Sequence, residues 1–155
     1  MNYYIDVIRN KLQSAVGDRI KYFYVGDPLY LPAEALEKGC VLISPNTQSS
    51  QMQDTQMDND EYVVTITVLK DMRQEYGKKP QEVVSTAWLM DIIDGRDGNG
   101  ALKQNTIRSI MRKSLTEIGL THTFSVEYGT SQRDEILARA AVVTIRLSDL
   151  VARAR

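Results

Sequence analysis

The run Asp94-Gly95-Arg96-Asp97-Gly98-Asn99-Gly100 gathers oxygen donors at Asp94, Asp97 and Asn99, the type of side chain that coordinates calcium. An EF-hand loop needs acids at alternate positions, a central Gly and a closing Glu. Here Gly95 stands where a ligand belongs, and no Glu follows at the right distance. The same residues suit a chain reversal between two helices, and that reading is preferred. Gly98-x-Gly100 precedes a helix as a phosphate cradle does, but it follows a helix instead of a strand and lacks the Gly-Lys-Ser/Thr of a P-loop. His122, the single histidine, shares a strand face with Phe124 and Val126 and has no Ser, Cys or acid motif beside it. A partly buried structural role fits it better than general-base work. Asp60, Glu61, Asp71 and Glu127 lie near strand ends and would be the material for a metal-dependent nuclease site; solvated charge at strand termini is the simpler account. Lys103, Arg108, Arg112 and Lys113 make one helix side basic, without the interleaved aromatics of single-strand binders. No nucleophile elbow appears. The chain therefore reads as a non-enzyme without cofactor or metal.

The composition is that of an ordinary soluble globular domain: 155 residues, 43% apolar and 25% charged. A net charge of −1 disfavours general affinity for duplex DNA, which needs many phosphate-neutralising cations. Cys40 is alone and sits in an apolar run, where a free thiol behaves as a small hydrophobe, so neither a disulfide nor a cysteine zinc site is expected. The opening MNYYIDVIRNKLQ lacks the pattern of a secretory signal, and no stretch approaches the ~18 apolar residues of a membrane span. Cytoplasmic synthesis and no membrane partner are the expectation.

The elements follow from periodicity. Ile5, Ile8, Leu12 and Val16 recur at helical spacing after Asn2 and before Gly17. Arg19 to Val25 alternates, with Ile20, Tyr22 and Tyr24 expected on one face, and Gly26-Asp27-Pro28 turns the chain. Pro32 opens a helical turn closed by Gly39. Cys40 to Ser44 and Glu61 to Leu69 are strands, the second with Tyr62, Val64, Ile66 and Val68 on one side. After a charged loop from Lys70 to Pro80, helices are expected over 81–93, with a wide apolar band around Trp88, and over 101–118. Two strands close the chain: His122, Phe124, Val126 and Tyr128 alternate in one, and Ala141, Val143, Ile145 and Leu147 in the other. Residues 148–155 are expected to form a short basic tail, mobile or bound to a partner. The order gives a single α+β domain with an antiparallel sheet of four to five strands and helices packed on one face.

Between the two central strands lies PNTQSSQMQDTQMDND, with four Gln, three Asp and only Met52 and Met57 as larger apolar residues. A hairpin turn takes roughly two to five residues, and connections beyond about twelve are usually functional or disordered. With almost nothing to bury, residues 46–60 read as a protruding polar arm that a partner must order.

The parts RIKYFYVGDP, CVLIS, EYVVTITVL, the Trp88 helix and RAAVVTIRL, in this order and with this insert, resemble the tail-terminator (tail-completion) proteins of long-tailed bacteriophages. The resemblance covers nearly the whole chain and rests on size, element order and texture, not on an invariant motif. It implies a non-catalytic virion protein of the tail-neck region: a homo-oligomeric ring, a hexamer, that caps the tail tube and stops its polymerisation. The ring then meets the head connector or neck protein, and DNA passes through its lumen only in transit.

On that reading Gln48, Gln51, Met52, Gln53, Asp54, Gln56, Met57 and Asp58 form the partner-binding arm. Tyr22, Tyr24 and Trp88 are candidates for the subunit interface, because aromatics are enriched at interface cores. Asp54, Asp58 and Asp60 would face the channel and repel phosphates. Two alternatives stay open from sequence: another neck component such as a head-completion or stopper protein, and a small α+β ligand-binding module. A metal-dependent nuclease ranks last.

Overall fold

A computed structural model describes residues 2–28, 30–52, 57–72, 84–133 and 136–152. The elements in chain order are α1 (Asn2–Val16), β1 (Tyr22–Val25), α2 (Ala33–Lys38), β2 (Cys40–Met52), β3 (Met57–Asp71), α3 (Val84–Asp94), α4 (Ile107–Glu117), β4 (Thr121–Arg133) and β5 (Ile136–Ala152). The strands form one sheet in the order β1-β2-β3-β5-β4. β3 is its axis, paired antiparallel with β2 on one side and with β5 on the other, from Met57↔Ala152 to Asp71↔Ala138.

Alternation along β3 decides which side carries the main core. Tyr62, Val64, Ile66 and Val68 point to one face, joined there by Val41 and Ile43 of β2 and by Ala141, Val143, Ile145 and Leu147 of β5. The apolar stripes of three helices close over them: Ile5, Ile8, Leu12 and Val16 of α1, Leu89, Ile92 and Ile93 of α3, and Ile107, Met111 and Leu115 of α4. The α+β class, the hairpin order and these core positions agree with the sequence reading.

The structure refines that reading in several places. β1 pairs parallel with β2, because α2 is a crossover and not a hairpin turn. α2 lies on the opposite face from the other helices, where Leu31, Ala35 and Leu36 pack with Cys40, Leu42, Leu69, Ala138 and Ala140. Strand β1 starts at Tyr22, since Arg19 and Ile20 still donate backbone bonds to the Val16 carbonyl. Ile20 consequently joins the main core while Tyr22 and Tyr24 pack on the α2 side. Helix α4 begins at Ile107, not Ala101, because buried Thr106 is extended and caps it, its hydroxyl accepting from Ser109 N at 3.2 Å. Lys70 and Asp71, expected in a loop, are the buried end of β3. Residues 81–83 of the expected Trp88 helix lie outside the described residues.

Cys40 is fully buried, and burial pushes its thiol up to about 12, so it stays protonated near neutrality. At the same end of the sheet Lys70 Nζ sits 4.9 Å from the centre of the Trp88 ring and donates to the Glu37 carbonyl at 2.7 Å. Burial lowers the Lys70 pKa. Gly39 has φ 94°, and a Cβ placed there would stand 2.3 Å from Cη2 of Trp88. Gly39→Ala is therefore expected to cost about 1–3 kcal/mol in denaturant unfolding, through backbone strain and displacement of the indole. Gly98→Ala, where a Cβ meets nothing within 4 Å, should stay within about 0.5 kcal/mol of the parent.

Candidate functional site

Past Ser44, β2 has no β1 beside it, yet its pairing with β3 continues. After a register shift between Pro45 and Thr47, the partners run from Thr47↔Val63 to Met52↔Asp58. β5 keeps pace on the other side of β3, from Ser148↔Glu61 to Ala152↔Met57. β4 begins at Thr121, level with Ser148, so beyond that level the sheet narrows to β2, β3 and β5. The result is a three-stranded ribbon that projects past the body.

This corrects two expectations. Residues 46–52 and 57–60 protrude as expected but are strand, not a segment that needs a partner to order it; residues 53–56 lie outside the described residues. The supposed tail supplies the third strand through Ala152, while residues 153–155 lie outside the described residues. Side-chain polarity misled the reading, because strand pairing is made by main-chain N–H and C=O groups whatever the side chains carry.

The ribbon is fixed at its base. Tyr4 of α1 packs on Tyr62 with ring centres 4.8 Å apart. The Tyr4 hydroxyl donates to Asp149 Oδ2, and the Tyr62 hydroxyl donates to Asp60 Oδ2 at 3.2 Å. Asp60 and Asp149 are direct cross-strand partners, an arrangement that is unfavourable for two like charges. Each carboxylate accepts a hydrogen bond from a phenol, which offsets part of that cost. Burial first, and the hydrogen bond to its aspartate second, raise the pKa of both tyrosines, so they stay neutral donors at physiological pH.

Cross-strand partners share a face, which places each predicted arm residue. Gln48 and Met52 pair with Tyr62 and Asp58 and so lie on the helix-bearing side with Asp58, Asp60 and Asp149; Gln51, Met57 and Glu61 lie on the other. Gln48, Gln51 and Met52 are exposed, whereas Met57, Asp58 and Asp60 are half-buried. Gln53, Asp54 and Gln56 lie outside the described residues. The aromatic candidates do not come together: Tyr22 and Tyr24 are half-buried against the α2 cluster, and Trp88 packs on the main core. Part of the α3 band does face outward, with Met90 51% exposed.

The remaining chemistry-bearing groups have local duties. Asp97 Oδ1 accepts the backbone N–H of Asn99 at 2.8 Å and of Ala101 at 3.0 Å, the work of a turn former. Asp94 faces Arg108 at 3.6 Å, and Asp91 holds Arg19 at 2.9 Å and Lys103 at 3.0 Å. Lys103 thus leaves the predicted basic helix side and ties the linker to α3. Asp60 and Asp71 sit toward opposite ends of β3, on the order of 35 Å apart at ~3.3 Å per residue, too far to share a metal.

Sequence reasoning missed the edge. β4 pairs only with β5 among the described strands, so its other side is an edge of the sheet. Beside that edge, Arg108, Arg112, Thr116, His122 and Phe124 line an open groove of about 370 Å³. The unbroken run THTFSVEYGTSQR, without Pro or Lys to blunt an edge, was the available signal.

No protein-family profile and no curated protein matches the chain. One solved structure without a descriptive name is 12% identical over 97% of this chain and 96% of its own, with a TM-score of 0.40. A mycobacterial sensor histidine kinase MprB is 15% identical over 97% of this chain and 96% of its own, with a TM-score of 0.33. Neither likeness is close enough to inform fold or function.

Removing residues 149–155 uncovers the outer side of β3 in the ribbon and takes away the Tyr4 acceptor. Amide exchange at residues 58–62 should then accelerate at least ~10-fold, with the strands of the main core unchanged. Unaltered protection would mean that β5 does not support the ribbon.

Proposed function

We propose that this chain is a structural assembly protein of the tail-terminator kind. It forms a homo-oligomeric ring, a hexamer, at the tail-neck of a virion, caps the tail tube, stops its polymerisation and joins the tail to the head connector. DNA crosses the lumen without being processed, and the chain performs no catalysis. The observation that supports this reading is the ribbon itself: strands carried well past the helical layer, with Gln48, Gln51 and Met52 exposed and β2 beyond Ser44 paired on one side only among the described strands. A surface of this kind serves pairing with another polypeptide.

Ring closure needs two different surfaces on each copy. The sheet offers them, with the β1–β2 edge on one side and the long β4 edge on the other. The resemblance in element order supplies the particular identity, and fold analogy alone would not.

Isolated tail tubes supply the test. The full chain should bind one tube end as a ring and block further growth. A variant with residues 46–60 replaced by a tight turn should remain folded, since the main core lies below that level, and should lose capping. Binding to filled heads in place of tubes would assign the chain to another neck position. Binding to neither, or capping that survives loss of the ribbon, would overturn the proposal.

A further inference from the structure

We infer that the groove between α4 and β4 is the docking site for the ribbon of a second copy of this chain. The inference rests on the ring reading and names the contact that closes the ring. The groove presents two exposed guanidinium groups, Arg108 and Arg112, with Thr116, His122 and Phe124 forming its floor and rim. Lys113 extends the basic surface along the neighbouring turn of α4, where Ser109, Arg112, Thr116 and Glu117 line an adjoining depression. The Arg108 contact to Asp94, at 3.6 Å and half-exposed, is long and holds that side chain only loosely.

The ribbon carries the complementary charge on the matching side. Asp58, Asp60 and Asp149 all lie on the helix-bearing side of the sheet, the side on which the groove opens. Strand direction agrees as well. β4 runs antiparallel to β5, β5 to β3 and β3 to β2, so β4 and β2 point in opposite senses. A copy rotated about an axis near the strand direction brings its β2 edge antiparallel to β4 and keeps both helix-bearing sides together. The acidic side of one ribbon then faces the basic groove of the next copy, and the open main-chain edges meet. Tyr62 is level with His122 through Leu147, so bringing Asp58 onto the arginines takes a stagger of about four residues between copies. Strand tilt in a closed sheet produces an offset of that kind. A ribbon cannot fold back onto its own groove, because it leaves the body along the strand axis. On this assignment Asp58 and Asp60 serve the subunit contact and not the channel.

Charge reversal tests this. Arg112→Glu changes an exposed residue and Asp58→Arg a half-buried one, and near-unchanged thermal unfolding of each variant verifies the fold. Ring assembly on tail tubes, and by sedimentation at high protein concentration, is then compared with the parent. Each single reversal should raise the concentration for half-assembly by ~10–100-fold. The double variant, and an equimolar mixture of the two singles, should recover assembly, because each then pairs opposite charges again. Parent rings with singles that assemble equally well would overturn the groove assignment and leave the ring reading standing. A parent that forms no ring on tubes or in solution would overturn both.

Discussion

Two-sided pairing of β3 is the constraint on which the rest depends. Each main-chain hydrogen bond contributes only about 0.5–1.5 kcal/mol net, and an isolated hairpin in water is marginal. A polar ribbon with little to bury needs a third strand and a fixed base. β5 supplies the strand by running on to Ala152. Tyr4 and Tyr62 supply the base, and they explain why α1 must lie where it does: its first turn reaches the ribbon while Ile8, Leu12 and Val16 hold its length to the sheet. The Asp60–Asp149 juxtaposition would weaken this point if the phenols did not donate into it.

The body then makes the molecule lopsided. A main core under three helices covers one face, and a small cluster under α2 covers part of the other. α2 also forces β1 into parallel pairing, and β1 ends after four residues, beyond which β2 has no second partner among the described strands. At the far edge, β4 runs its full length without a neighbour among the described strands, bordered by the arginines of α4. The two edges are unlike, so they do not form the one self-complementary surface of a two-fold pair.

Much of this was legible in the sequence. Alternation in Tyr62–Val68 and in Ala141–Leu147, and helical spacing in Ile5–Val16, gave the core positions directly, because burial imposes those periods. The turn role of Asp97 followed from Gly and Asp chemistry. Boundaries set by capping were not legible: Thr106 stops α4 short of Ala101 through a backbone geometry that periodicity does not register. Neither was the ribbon. Gln48 to Gln51 carry no apolar residue and Asp149 interrupts the alternation of β5, so the ribbon rests on main-chain pairing, local between β2 and β3 and between segments far apart in sequence for β3 and β5. The groove was half visible. Arg108 and Arg112 stood out as a basic helix side, but only the fold brings His122 and the β4 edge beside them.

Hydrogen–deuterium exchange on the isolated full chain tests the central claim most directly, read at the amides of residues 58–62. The account predicts slow exchange there before any partner is added, because β3 is the middle strand of a preformed ribbon. Exchange as fast as in an unstructured peptide would contradict it, and would return this stretch to a disordered arm awaiting its partner.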